Sequence, residues 1–182
     1  VFMMFPMAYI LVLGEIDISV GAIVCLSATL SCMVCNTNAP FIVVAITALV
    51  VGGLCGAVNG FILTRFKELP PMIVTLATQL IVYGILLMYI MLNGNNGQPL
   101  SGLDKSFKNF VTGSFLKIRG VPIPNYVWYA CVVVVFMWFM WNKTTFGKNM
   151  FAVGSNPEAA NVSGVNVMRT TILVHTLAGC MY

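Results

Sequence analysis

The chain has 182 residues, of which 59% are hydrophobic and only 8% charged, and its formal net charge is +4. Soluble domains carry about 25% charged residues, so this composition excludes a soluble globular fold and points to a polytopic membrane protein. The positive balance does not signal nucleic-acid binding, because no basic run is long enough to form a groove or patch; basic residues near cytoplasmic helix ends account for it.

In chain order the apolar runs are 2–13, 18–34, 41–63, 72–92, 126–141 and 170–182. A membrane span needs about 20 apolar residues, and 41–63 and 72–92 provide them without a charge. The run 126–141 is shorter, but Tyr126, Trp128, Tyr129, Trp138 and Trp141 cluster towards its two ends, as interfacial aromatic belts do. The first and last runs read as truncated spans, and the chain as a fragment of a longer protein. The run 18–34 is expected to begin within the protein's membrane layer. No run alternates as barrel strands do, so the backbone must be satisfied by helices. The expected fold is all-α, a polytopic membrane helix bundle with about six full or truncated membrane helices.

Several residues in these runs carry polar chemistry. Glu15 and Asp17 lie between the first two runs, and an ionisable group at membrane depth is a functional candidate. The alternative is an interfacial loop in which Asp17 caps the following helix. Gly52, Gly56 and Gly60 recur every four residues on one face, which allows close helix approach either within the chain or at a subunit interface. On the fourth run Thr75, Thr78 and Gln79 share a helical face at i, i+3 and i+4, and Tyr83 continues it. Together with Asn59 they could line a path for a neutral polar solute, or simply bond between helices. The segment 93–125 is polar. It opens with turn chemistry over 93–99, then spaces Leu103, Phe107, Phe110 and Val111 as a short surface helix would, with Lys105 and Lys108 facing elsewhere. The residues 121–124 form an extended lead into the next span. His175 is the only histidine, either a packed, hydrogen-bonded residue or a ligand or proton relay. The six cysteines mostly lie in apolar runs, where cysteine acts as a small hydrophobe; Cys32 and Cys35 have a metal or redox spacing but no second pair nearby.

The segment 143–169 holds the most informative local pattern. Asn156 is a good N-cap, Pro157 falls at the first helical position, and Glu158 places negative charge at the positive end of the helix dipole. Ala159 and Ala160 favour helix and offer a small, smooth surface, and Gly164 can end the turn. A short capped helix between membrane spans suggests a docking element for a soluble partner.

The order Glu158-Ala159-Ala160, three residues, Gly164 resembles the coupling-loop signature of ABC importer permeases. The block 142–149, then Phe151-Ala152-Val153-Gly154 and Val165-Asn166-Val167, resembles the monosaccharide branch of that family. Gly14-Glu15-Ile16-Asp17-Ile18-Ser19-Val20-Gly21 is similar to that branch's Gly-Gly-Ile-Asp-Leu-Ser-Val-Gly, with Glu15 in place of the second glycine. Ser101-Gly102-Leu103-Asp104 and the 142–149 block are nearest to the galactose/methyl-galactoside permeases. The resemblance spans essentially the whole chain.

It implies a multi-pass protein of the bacterial inner membrane that imports a monosaccharide, a galactose-like sugar first. The implied partners are an ABC ATP-binding subunit docking at 143–169, a second permease subunit in a homodimer, and an extracytoplasmic sugar-binding protein. It also places 93–125 outside and 143–169 and 65–71 in the cytoplasm. Charge alone does not set this orientation, because Arg65, Lys67, Lys143, Lys148 and Arg169 face Lys105, Lys108, Lys117 and Arg119 on the other side. No phosphate loop, nucleophile elbow or zinc-binding histidine pair is present, so no catalytic set, metal site or cofactor is expected and ATP hydrolysis falls to another chain. A secondary, ion-coupled transporter is the rival reading. It would need a charge relay in the membrane, for which Glu15, Asp17 and His175 are the candidates.

Overall fold

The computed structural model describes residues 3–37, 39–66, 68–92, 112–114, 116–118 and 121–182. In chain order these form α1 (Met4–Val12), α2 (Val20–Asn36), α3 (Phe41–Arg65), α4 (Pro71–Leu92), β1 (Leu116–Ile118), β2 (Val121–Ile123), α5 (Asn125–Lys143), α6 (Thr145–Ser155), α7 (Pro157–Val162) and α8 (Val167–Met181). The architecture is a membrane helix bundle. Its exception is a small antiparallel ribbon that sets Leu116 opposite Ile123 and Ile118 opposite Val121. The extended lead into α5 is the second strand of that ribbon. The residues expected to form a surface helix, Leu103, Phe107, Phe110 and Val111, lie outside the described residues, as do 101–104.

Among the described residues α3, α4 and α5 are long and apolar enough to cross a membrane, with 25, 22 and 19 residues. At 1.5 Å per residue they span about 37, 33 and 28 Å, against a hydrocarbon core of about 30 Å. Pro40 and Pro124 stand in extended conformation, ψ 145° in each, directly before α3 and α5. A proline there ends the preceding segment and blocks no helical hydrogen bond. The outer faces of α3, α4 and α5 are apolar: Ile42, Leu54, Leu80, Ile81, Val132 and Val135 are all exposed, as lipid-facing side chains would be.

Two cores hold the bundle. The first joins Tyr9, Ile10 and Leu13 to Met137 of α5, Met150 and Val153 of α6, Ala160 of α7, and Val174 and Ala178 of α8. The second joins Ala22 and Leu26 of α2 to Val82 and Leu86 of α4. The most extensive helix pair is α3 with α8. There the glycine face meets backbone directly. A Cβ at Gly52 would overlap the Gly179 carbonyl oxygen, one at Gly56 the His175 carbonyl oxygen, and one at Gly60 would come 2.8 Å from Ile172 Cα. Dispersion between such close backbones replaces the hydrophobic effect, which lipid does not supply.

The segment 143–169 is structured throughout most of its length. Thr144 accepts from the Gly147 amide and starts α6. Met150 and Val153 turn inward, and a Cβ at Gly154 would overlap the Val12 carbonyl oxygen. α6 is therefore seated on the end of α1. Trp141 packs edge-on against Tyr9, centroids 5.5 Å apart, and is half-buried. It serves the first core, whereas Trp138 is exposed.

Candidate functional site

The first element of the site is the turn between α1 and α2. α1 ends because Gly14 takes φ 82°, a conformation that costs glycine nothing. The Gly14 and Glu15 amides then bond back to the Leu11 and Ile10 carbonyls, which satisfies two of the end carbonyls of α1. The chain runs on without helix until Val20. Asp17 is 2% exposed and Ser19 0%, so this loop turns its polar side chains into the bundle. Gly21 is exposed, and a Cβ there would touch nothing.

Three helices bond to this turn. Asn59 of α3 donates through Nδ2 to Ser19 Oγ at 2.9 Å. Asn59 lies six residues before the end of α3, hence about 9 Å inside the bundle. Thr75 of α4 accepts from the Ile18 amide at 3.2 Å, and its hydroxyl lies 3.0 Å from the Pro71 carbonyl and 3.3 Å from that of Ile16. From α8, His175 Nε2 meets Glu15 Oε2 at 2.6 Å, and just past the end of α8 the Tyr182 hydroxyl donates to Asp17 Oδ2 at 3.1 Å.

Asp17 is buried within the protein, and it does not cap α2 in the usual way. Its Oδ1 accepts from the Ser19 amide at 2.8 Å and from the Ser19 hydroxyl at 2.5 Å. That local bond, two residues on, stabilises the turn and not the first helical amides. Ser19 is the N-cap residue, and its side chain makes no capping bond to α2. Glu15, which departs from the glycine of the resembling motif, and His175, the single histidine, are partners across 160 residues. The sequence grouped them only as members of a charge relay in the rival reading, not as direct partners. Two isolated ionisable residues in an apolar chain were the available signal, since each needs a buried partner. Tyr182, the last residue of an apolar run, gave no signal at all.

Of the path candidates, Asn59 and Thr75 come together at the turn. Thr78 is buried one turn further along α4 and Gln79 is half-buried, and neither bonds to the turn among the described residues. Tyr83 leaves this face: it is 52% exposed, and Val82 and Leu86 continue the buried stripe. Buried side-chain atoms with no partner among the described residues include Asn59 Oδ1, Gln79 Oε1 and His175 Nδ1. Cys32 and Cys35 are free thiols, with no group of three or more metal-ligating side chains near them among the described residues.

The second element is α7. Asn156 Oδ1 accepts from the Glu158 and Ala159 amides, both at 3.0 Å. Pro157 is the first helical residue and Glu158 lies in the first turn. The helix closes with the Gly164 amide on the Asn161 carbonyl and the Val165 amide on that of Ala160, with Gly164 at φ 85°. Asn166 immediately caps α8 by accepting from the Arg169 amide at 2.9 Å. The helix turns Ala160 inward, 4% exposed, into the first core. Glu158, Ala159 and Asn161 face outward, and Val162 is 90% exposed.

A cavity of about 830 Å³ joins the two elements. Its walls include Glu15, Leu63, Pro71, Glu158, Asn161 and Asn166. The turn, the connection from α3 to α4 and the α7–α8 junction therefore lie at one end of the bundle.

A family model described as branched-chain amino acid transport system / permease component matches residues 2–181. The galactose/methyl galactoside import permease protein of Salmonella typhimurium is 41% identical over 143 residues, which are 79% of this chain and 41% of that protein. The ribose import permease protein of Bacillus subtilis is 33% identical over 179 residues, 97% of this chain and 52% of that protein. The fructose import permease protein of Rhizobium meliloti is 34% identical over 175 residues, with 93% and 47% covered. The chain thus spans about two fifths to half the length of these curated relatives. No solved structure matches it.

Proposed function

Because the chain belongs to the branched-chain amino acid transport system / permease component family, we propose that it is part of the transmembrane subunit of an ATP-driven monosaccharide importer. The cargo we propose is galactose or a methyl galactoside. The observation that carries this is the 41% identity over 143 residues to a galactose/methyl galactoside import permease. Relatives named for ribose and fructose support the wider sugar class. The protein is a multi-pass inner-membrane subunit and not itself an ATPase. It works with a separate ATP-binding subunit, a second permease copy and an extracytoplasmic sugar-binding protein.

In this reading α7 is the coupling helix. Its caps lie within its own sequence, so docking a partner spends little on ordering it. Glu158, Ala159, Asn161 and Val162 would meet the ATP-binding subunit in the cytoplasm. ATP binding then shifts the bundle only as far as the docked face differs between its two conformations. Thr78 and Gln79 supply neutral donors and acceptors suited to sugar hydroxyls, whereas Asn59 and Thr75 hold the turn beside them.

The test uses the full-length permease with its ATP-binding subunit and binding protein in proteoliposomes. Labelled galactose should accumulate only with ATP. The contact between buried His175 and half-buried Glu15 favours one second reading, ion-coupled secondary transport. Uptake that persists without ATP and collapses when the ion gradient is dissipated would select it.

A further inference from the structure

We infer that the Glu15–His175 contact is a positioning pair that makes the buried turn follow the coupling helix, so that removing it uncouples ATP hydrolysis from sugar movement. This rests on the importer reading. Four observations carry it. α7 and α8 are joined by a connection fixed at both ends: Gly164 closes α7, and Asn166 opens α8 two residues later. A displacement of α7 is therefore passed to α8 through a short connection capped at both ends. His175 lies eight residues into α8, about 12 Å from its start. It is 1% exposed and meets Glu15 at 2.6 Å. Finally, the cavity wall includes both the exposed Glu158 of α7 and Glu15 itself.

A buried polar pair is a poor choice for stability alone, since well-packed apolar side chains of similar volume hold at least as well. What it adds is register. Apolar surfaces tolerate small slides, whereas a hydrogen bond weakens steeply with distance and angle. The two partners also differ in access. Glu15 retains 18% side-chain exposure beside the cavity, so a released carboxylate can be hydrated there. His175 has no such outlet, and its Nδ1 has no partner among the described residues. The contact therefore ties the turn to α8 at one register, so that the turn moves with α8 rather than past it.

The test measures sugar uptake and ATP hydrolysis in the same proteoliposomes, holding the full-length permease with its two partner proteins. E15A and H175L should each raise ATP consumed per sugar at least fivefold, and E15A/H175L no further than either, because one contact is lost in all three. E15Q, whose amide oxygen can accept the same Nε2–H, should stay within twofold of the parent. The inference is overturned if E15A and H175L keep the parental ratio, if their effects add, or if E15Q fails as E15A does. It is equally overturned if E15A and H175L do not assemble, since the pair is then structural. A parent protein with no ATP-dependent uptake would instead sink the importer reading, and the inference with it.

Discussion

The turn at 14–19 and the helix at 157–162 are each bounded by a glycine of positive φ, yet they are held in opposite ways. The turn opens on Gly14 at 82°, and the helix is followed by Gly164 at 85°. Beside its local Asp17–Ser19 bonds, the turn is held by partners 40, 57, 160 and 165 residues away. The bonds that shape the helix reach two and three residues. The turn's conformation is thus stored in α3, α4 and α8, and the helix's in its own letters. Only the second kind of element can keep its shape while it binds and releases a partner.

The sharpest way to break the comparison is to destroy what holds the turn. Gly56→Leu places a side chain onto the His175 carbonyl and forces α3 from α8, moving Asn59 and His175 together. Overpacking of this kind costs about 3 kcal/mol or more. The expected result is loss of monodisperse protein in detergent, read by size-exclusion chromatography. Full recovery with unchanged unfolding temperature would remove the glycine face from any tight contact.

Asp17→Ala comes next. It leaves the Ser19 amide, the Ser19 hydroxyl and the Tyr182 hydroxyl without the acceptor they share. Orphaned buried donors cost about 1–3 kcal/mol each, partly recovered by rearrangement, so a loss of about 3 kcal/mol is expected in a denaturant titration. Asp17→Asn keeps one oxygen acceptor and should lose about 1 kcal/mol. Equal losses for the two would mean that charge, and not the acceptor, is what the turn requires.

The same division explains what the letters disclosed. Asn156, Pro157 and Gly164 act on neighbours, so their caps were legible. The spacing of Gly52, Gly56 and Gly60 disclosed a close-approach face, but nothing in it names α8 as what comes close. The Glu15–His175, Ser19–Asn59 and Asp17–Tyr182 contacts are products of folding, and no local pattern encodes them. α6 was hidden for a related reason. Its inward set of Met150, Val153 and Gly154 makes sense only against α1 and the first core. Tyr83 was placed by extending the Thr75–Gln79 face, whereas burial on α4 advances by four residues from Thr78 to Val82 to Leu86. Ala160 and Gly164 are also poor probes of docking. A larger residue at 160 would strike the protein's own core, and any side chain at 164 strains a backbone at φ 85°.

Asn156→Ala tests the local side. It frees the Glu158 and Ala159 amides and should cost about 1 kcal/mol, confined to α7. Hydrogen exchange should quicken at those two amides and stay unchanged at Ile18, whose amide bonds Thr75. Faster exchange at Ile18 would show that the two regions are not independently held.

The smallest effect on stability belongs to Val162, and it isolates docking from folding. With 90% of its surface exposed, Val162 contributes almost nothing to the bundle. Val162→Ser should therefore change unfolding by no more than about 0.5 kcal/mol. If α7 is the coupling helix, the same side chain is buried when the ATP-binding subunit docks. Burying a valine is worth about 1.5 kcal/mol, which corresponds to roughly a tenfold loss of affinity. Titrating the purified ATP-binding subunit against the solubilised permease reads that loss directly. Unchanged affinity would place the docking face outside α7. A tenfold loss at constant unfolding temperature would assign the outward side of α7 to the partner, because no change in the bundle could then account for it.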